Sequence, residues 1–100
     1  ATAAGGNLSI ADALMAPTPG AIVFEAARDL LAPGLAVSDT ELETAMAFAA
    51  KKLKLLVEPG GAAGLAALLA GKLDVKGKTI AVVLSGGNDD PASFARLLAR

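Results

Sequence analysis

One apolar, β-branched run, "TIAVVL" at residues 79–84, restricts the fold of this chain more than any other feature. It shows no polar alternation, so it predicts a strand covered on both faces, as at the centre of a parallel sheet. Such a strand needs neighbours on both edges, because backbone N–H and C=O groups left unpaired away from water are costly. The chain offers few. "LAV" (35–37) and "LLV" (55–57) are the other strand candidates, and both are short. The segments between them read as helices and turns, and helices that separate parallel strands define an α/β fold. The expectation is a helix-rich fragment of a parallel-sheet α/β domain. Residues 1–100 form part of that domain, with a loose start over 1–8.

The helical segments carry their own punctuation. "IADALMAPTPG" (10–20) begins with helical spacing and is stopped by Pro17, Pro19 and Gly20. Residues 21–32 repeat the spacing until Pro33-Gly34 ends it. Ser38 and Glu41 in "SDTE" form a capping box ahead of "LETAMAFAAKKL". Acids at 39, 41 and 43 and lysines at 51, 52 and 54 suit the dipole of that helix. Pro59 fits the first turn of a helix that runs to Gly71, and residues 72–78 form a polar turn. Asp90 caps a last helix over 91–99, opened by Pro91.

Composition removes several chemistries. A net charge of −1 provides no field for nucleic acid or an acidic membrane, so neither partner is expected. The chain has no cysteine, hence no disulfide or thiolate, and no histidine, hence no imidazole base or histidine metal ligand. No metal site is expected. Without Tyr or Trp there is no platform for base stacking. No stretch reaches the roughly 18 apolar residues of a membrane span. Residues 1–20 lack the charged start of a signal peptide, and a cytoplasmic setting is expected.

Two glycine-rich stretches are candidates for chemistry. Ser85-Gly86-Gly87-Asn88 follows the predicted strand and precedes a helix, the end of a strand where open α/β sheets bind ligands. Glycines there allow close approach to the backbone, and a serine hydroxyl can donate to a ring nitrogen or an anion. The plain alternative is an ordinary turn. Glu58-Pro59-Gly60-Gly61-Ala62-Ala63-Gly64 is the second stretch. Its free amides attract anions, or its small residues serve tight helix packing. Neither stretch matches a P-loop or a dinucleotide fingerprint.

In order, "SIADALMAPTPG" (9–20), "LAVSDTELETAMAFAAKKLKLLVEPGGAAGLAALL" (35–69) and "AVVLSGGNDDPASFARLL" (81–98) resemble the C-terminal third of the pyridoxal-phosphate-dependent threonine/serine dehydratases. These enzymes belong to fold type II, the tryptophan-synthase-β-like group that also contains serine racemase. The resemblance implies that Ser85 donates to the pyridine nitrogen of pyridoxal phosphate, that Gly86 and Gly87 admit the ring edge, and that Asn88 braces the turn. It places Glu58 on the wall near the ring. It places Ala13 close to the ring, where the family often has glycine. It implies β-elimination from threonine, serine or a related hydroxy amino acid to a 2-oxo acid and ammonia. A homo-oligomer is expected.

The chain also departs from the family pattern. Asp89 stands where valine is frequent, and Ala21 stands where glutamate is frequent. None of the six lysines matches the imine-forming lysine, and the phosphate-binding glycine loop is absent. The segment therefore holds no catalytic residue, and its partners are a missing N-terminal part and an amino-acid substrate. Tight binding of pyridoxal phosphate by this chain alone is not expected. The alternative is a stand-alone small domain, or a self-associating fragment, without activity.

Overall fold

A computed structural model describes residues 8–99. The loose start expected over 1–8 lies outside the described residues except for Leu8, which is exposed. Four α-helices organise the rest: α1 (Ala21–Ala27), α2 (Asp39–Phe48), α3 (Ala63–Leu69) and α4 (Pro91–Leu98). A short 3-10 turn at Asp12–Leu14 precedes α1, and another at Gly60–Ala62 leads into α3.

The caps read from the sequence are in place. Ser38 Oγ accepts from the Glu41 N–H at 3.2 Å, and the Glu41 carboxylate accepts from the Ser38 N–H at 3.0 Å. Asp90 Oδ1 accepts from the Ala92 N–H at 3.1 Å, with Pro91 in the first turn of α4. The helix begun by α2 continues as a π-turn over Ala49–Leu53 and closes on Lys54 at φ 60°. At the end of α3, Gly71 at φ 70° lets its own N–H reach the Leu68 carbonyl and the Lys72 N–H reach the Ala67 carbonyl. This is the paired closure that a glycine after a helix permits.

The core forms where α2 lies across α3 and α4. Leu42 and Met46 of α2 are its largest fully buried side chains, and Leu65, Phe94 and Leu97 face them from α3 and α4. Alanines at 11, 45, 49, 62 and 66, with Val57, complete the core, so the helices approach closely. The polypeptide is only 18 Å deep in its shortest direction, about two helix layers at 8–10 Å each. A body this thin leaves much apolar surface uncovered: Ile22 is 86% exposed and Val83 is 79% exposed.

Three expectations are corrected. No β-strand occurs among the described residues. Residues 35–37, 55–57 and 79–84 all run outside helices, but a strand is defined by its ladder and none of the three has one. Segments 55–58 and 84–87 meet at a single backbone bond, Glu58 N–H to the Gly86 carbonyl at 2.9 Å. The helix predicted over 21–32 stops at Ala27 with no buried residue, so its apolar spacing finds no surface to pack on. The helical start at 10–20 shortens to Asp12–Leu14, as the prolines that follow leave no room for a second turn.

Candidate cofactor-facing site

The path of residues 79–88 sets the site. Val82 lies against α3 where Gly64 leaves room, its Cγ1 3.5 Å from the position a Cβ would take. The chain then meets the "VEPGG" turn backbone to backbone. Gly86 has φ 142°, a conformation that side-chain-bearing residues avoid, and a Cβ there would lie 2.5 Å from Glu58 Oε1. A Cβ on Gly87 would run into the Leu56 carbonyl. A Cβ on Gly61 would sit 3.0 Å from the Gly86 oxygen and 3.2 Å from its nitrogen. Backbone approach demands glycine at Gly87, the positive φ favours it at Gly86, and the fit at Gly61 is tight. The space that a side chain would take at Gly86 and Gly87 belongs to Glu58 and Leu56. Room for a ligand lies on the outer side of the turn, where residues 85–88 are all exposed.

Ala13 joins the same cluster from the other side. A Cβ on Gly60 would lie 3.5 Å from Ala13 Cβ and 3.4 Å from Leu14 Cγ, so the 12–14 turn rests on the 60–62 turn. Ala13 thus neighbours Gly60, Glu58 neighbours Gly86 and Leu56 neighbours Gly87, while Ser85 and Asn88 flank the two glycines in sequence. The site is an open face. A cavity of about 360 Å³ lies elsewhere, between α2 and α4, with Met46, Pro59, Arg96 and Leu97 in its lining and none of the six candidates.

Ser85 carries a neutral hydroxyl, a donor that can serve a ring nitrogen or an anion. The side chain of Asn88 is also neutral. The Glu58 carboxylate sits against Gly86. Among the described residues no cluster of three or more His, Cys, Asp or Glu is placed to hold a metal ion. No helix among them is long and apolar enough to cross a membrane.

Sequence reasoning missed the polar hub at the start of α2. Asp39 accepts from Ser9 Oγ at 2.6 Å and from the Ile10 N–H at 3.3 Å. Lys72 Nζ pairs with Glu41 at 2.9 Å and also donates to the Ala36 carbonyl at 2.5 Å. The hydrogen bond from Lys72, with that from the Ser38 N–H, holds the Glu41 carboxyl below its ordinary value. Asp39 and Lys72 read as a first-turn acid and a turn lysine, and no local spacing links either to a partner some 30 residues away in sequence.

The small helical body brings two glycine-rich segments together on one open face. The chain belongs to the pyridoxal-phosphate dependent enzyme family, whose sequence model matches residues 2–86. That match includes Ala13, Glu58, Ser85 and Gly86. Among its curated relatives, phenylserine dehydratase of Ralstonia pickettii is 43% identical over 95 residues, covering 94% of this chain and 29% of that protein. L-threonine ammonia-lyase of Thermotoga maritima is 38% identical over 93 residues, covering 93% of this chain and 23% of that protein. Serine racemase of Schizosaccharomyces pombe is 35% identical over 92 residues, covering 92% and 28%. The likeness to the threonine/serine dehydratase branch of fold type II drawn from the motifs is borne out. The chain spans about a quarter of the length of the curated relatives it matches.

Proposed function

We propose that this chain is the C-terminal portion of a pyridoxal-phosphate-dependent dehydratase domain, and that it supplies the pyridine-ring side of the cofactor site. One observation carries the reading: the junction of Glu58 and Gly86, closed by a 2.9 Å backbone bond, leaves Ser85 exposed beside two residues without side chains. The parent activity is β-elimination from a hydroxy amino acid to a 2-oxo acid and ammonia. Relatives named phenylserine dehydratase, L-threonine ammonia-lyase and L-threo-3-hydroxyaspartate ammonia-lyase support that class. When bound, pyridoxal phosphate supplies the electron sink that such an elimination needs.

This chain's residues have defined parts in that arrangement. Ser85 would donate a hydrogen bond to the ring nitrogen without giving up its proton, so the ring would stay uncharged, whereas a carboxylate in its place would favour the protonated ring. Gly86 and Gly87 expose backbone so that the ring edge approaches. Asn88 braces the turn, and Glu58 and Ala13 form the flanking walls. Residues 79–84 become a strand once the remainder of the domain pairs with them, and exposed Leu55, Leu56 and Val83 become buried. The imine-forming lysine is contributed from outside this segment.

The test uses pyridoxine phosphate, the alcohol, which cannot form imines with exposed lysines. Titrated into the isotope-labelled chain, it should shift the amides of residues 85–88 and Ala13, weakly but specifically. Ser85→Ala should weaken binding by about 0.5–1.5 kcal/mol, the worth of one neutral hydrogen bond. Shifts centred elsewhere, or a Ser85→Ala chain that binds as well as wild type, overturn the assignment.

A further inference from the structure

The segment that carries Ala13 has little of its own to hold it. The 12–14 turn is three residues long, with no side-chain cap and no buried residue. Its anchor lies at the first residue of α2. Asp39 Oδ1 accepts the Ser9 hydroxyl at 2.6 Å, a short charge-assisted bond. The Ile10 N–H lies 3.3 Å from each carboxylate oxygen. Ser9 Oγ in turn accepts from the Ala11 N–H at 3.1 Å, and Ala11 is 4% exposed, in the core. The Ala11 carbonyl then accepts from the Leu14 N–H at 2.9 Å and closes the turn. One carboxylate therefore fixes a hydroxyl and a backbone amide, and the hydroxyl fixes the next amide. The turn that follows sets Ala13 against Gly60, two residues beyond Glu58 of the Glu58–Gly86 junction.

We infer that Asp39 is a positioning residue, acting through Ser9 to hold the Ala13 wall at a set separation from the Gly86 turn. The inference rests on the reading of Ala13 as ring-facing for its consequence, but the tether itself requires no ligand. A carboxylate suits the post because it accepts only and offers two oxygens, enough for the donors that converge there. A helix-dipole role alone would account for an acid at this position and for neither of its bonds, to Ser9 and to Ile10.

The experiment measures amide exchange and proton–proton contacts by magnetic resonance in the whole chain without ligand. Two probes report on the tether: the Leu14 amide and the proximity signal between the Ala13 methyl and the Gly60 α-protons. The Ala49 amide, bonded to Ala45 in the core helix, reports on global stability. Ser9→Ala keeps the Asp39 charge at the helix start but removes the relay. It should speed Leu14 exchange roughly 10- to 100-fold, the range expected for losing a hydrogen bond to a charged group. It should also weaken the Ala13–Gly60 signal and leave Ala49 unchanged. Asp39→Ala should reproduce that pattern, adding Asp39→Ala to Ser9→Ala should change Leu14 little further, and Ser9→Thr, which keeps the hydroxyl, should restore it. A silent Ser9→Ala, or a response equal at Leu14 and Ala49 in both Ser9→Ala and Asp39→Ala, overturns the inference. Failure of pyridoxine phosphate to bind would count against the cofactor reading and leave the tether result standing.

Discussion

Gly86→Ala separates two reasons for glycine at the turn that meets Glu58. The first is conformational. At φ 142° a residue with a Cβ sits in a region that costs of the order of 1–3 kcal/mol. The second is contact. The new Cβ would lie 2.5 Å from Glu58 Oε1, 3.3 Å from Cδ and 3.8 Å from Cγ, all atoms of one flexible side chain. Glu58 is half-buried and can swing outward, so the contact should add a smaller increment, about 0.5–1 kcal/mol, as coupling between neighbours. In a Glu58→Ala background the increment should vanish and the conformational cost should remain. Gly87→Ala behaves differently, because its Cβ meets the Leu56 carbonyl, which cannot rotate away. Its cost should be the same with and without Glu58. Urea unfolding followed by far-ultraviolet circular dichroism reads all four combinations with Glu58, since the chain has no tryptophan. The reasoning is refuted if Gly86→Ala unfolds within about 0.5 kcal/mol of wild type. It is refuted equally if Glu58→Ala relieves Gly87→Ala as much as Gly86→Ala.

Two further outcomes follow from the core and from the hub on α2. Leu42 is 2% exposed between the helices, so Leu42→Ala should cost about 2–5 kcal/mol in the same unfolding assay, while Leu30→Ala, at 83% exposure, should stay within about 0.5 kcal/mol. Glu41 has a carboxyl held below its ordinary value of 4.5, first by the hydrogen bond from Lys72 and then by the Ser38 N–H. Its contribution to stability is therefore present above that ordinary value and is lost as pH falls through the lowered native one. Glu41→Gln and Lys72→Met should each flatten the acid side of the urea midpoint plotted against pH, and an unchanged slope in both would rule the pair out as its source.

Local chemistry was legible where a few adjacent residues decide the outcome. Ser38 with Glu41, Asp90 with Pro91, and Gly71 after α3 each satisfy backbone groups within a few residues, so their spacing predicts the caps found. The ordered motifs around Ala13, Glu58 and Ser85 likewise pointed to the family, and the glycines at 60, 61, 86 and 87 marked where segments approach. The tertiary structure decided what depends on distant partners. Residues 79–84 have the composition of a central strand, yet composition cannot provide the second backbone that makes a ladder, and no ladder forms along them among the described residues. Likewise, that Glu58 lies against Gly86 and the Leu56 carbonyl against Gly87 shows only in the tertiary structure. Asp39 reaching Ser9, and Lys72 reaching Ala36 and Glu41, were invisible for the same reason. A hydrogen bond across some 30 residues exists only after the core of α2, α3 and α4 has brought its ends together.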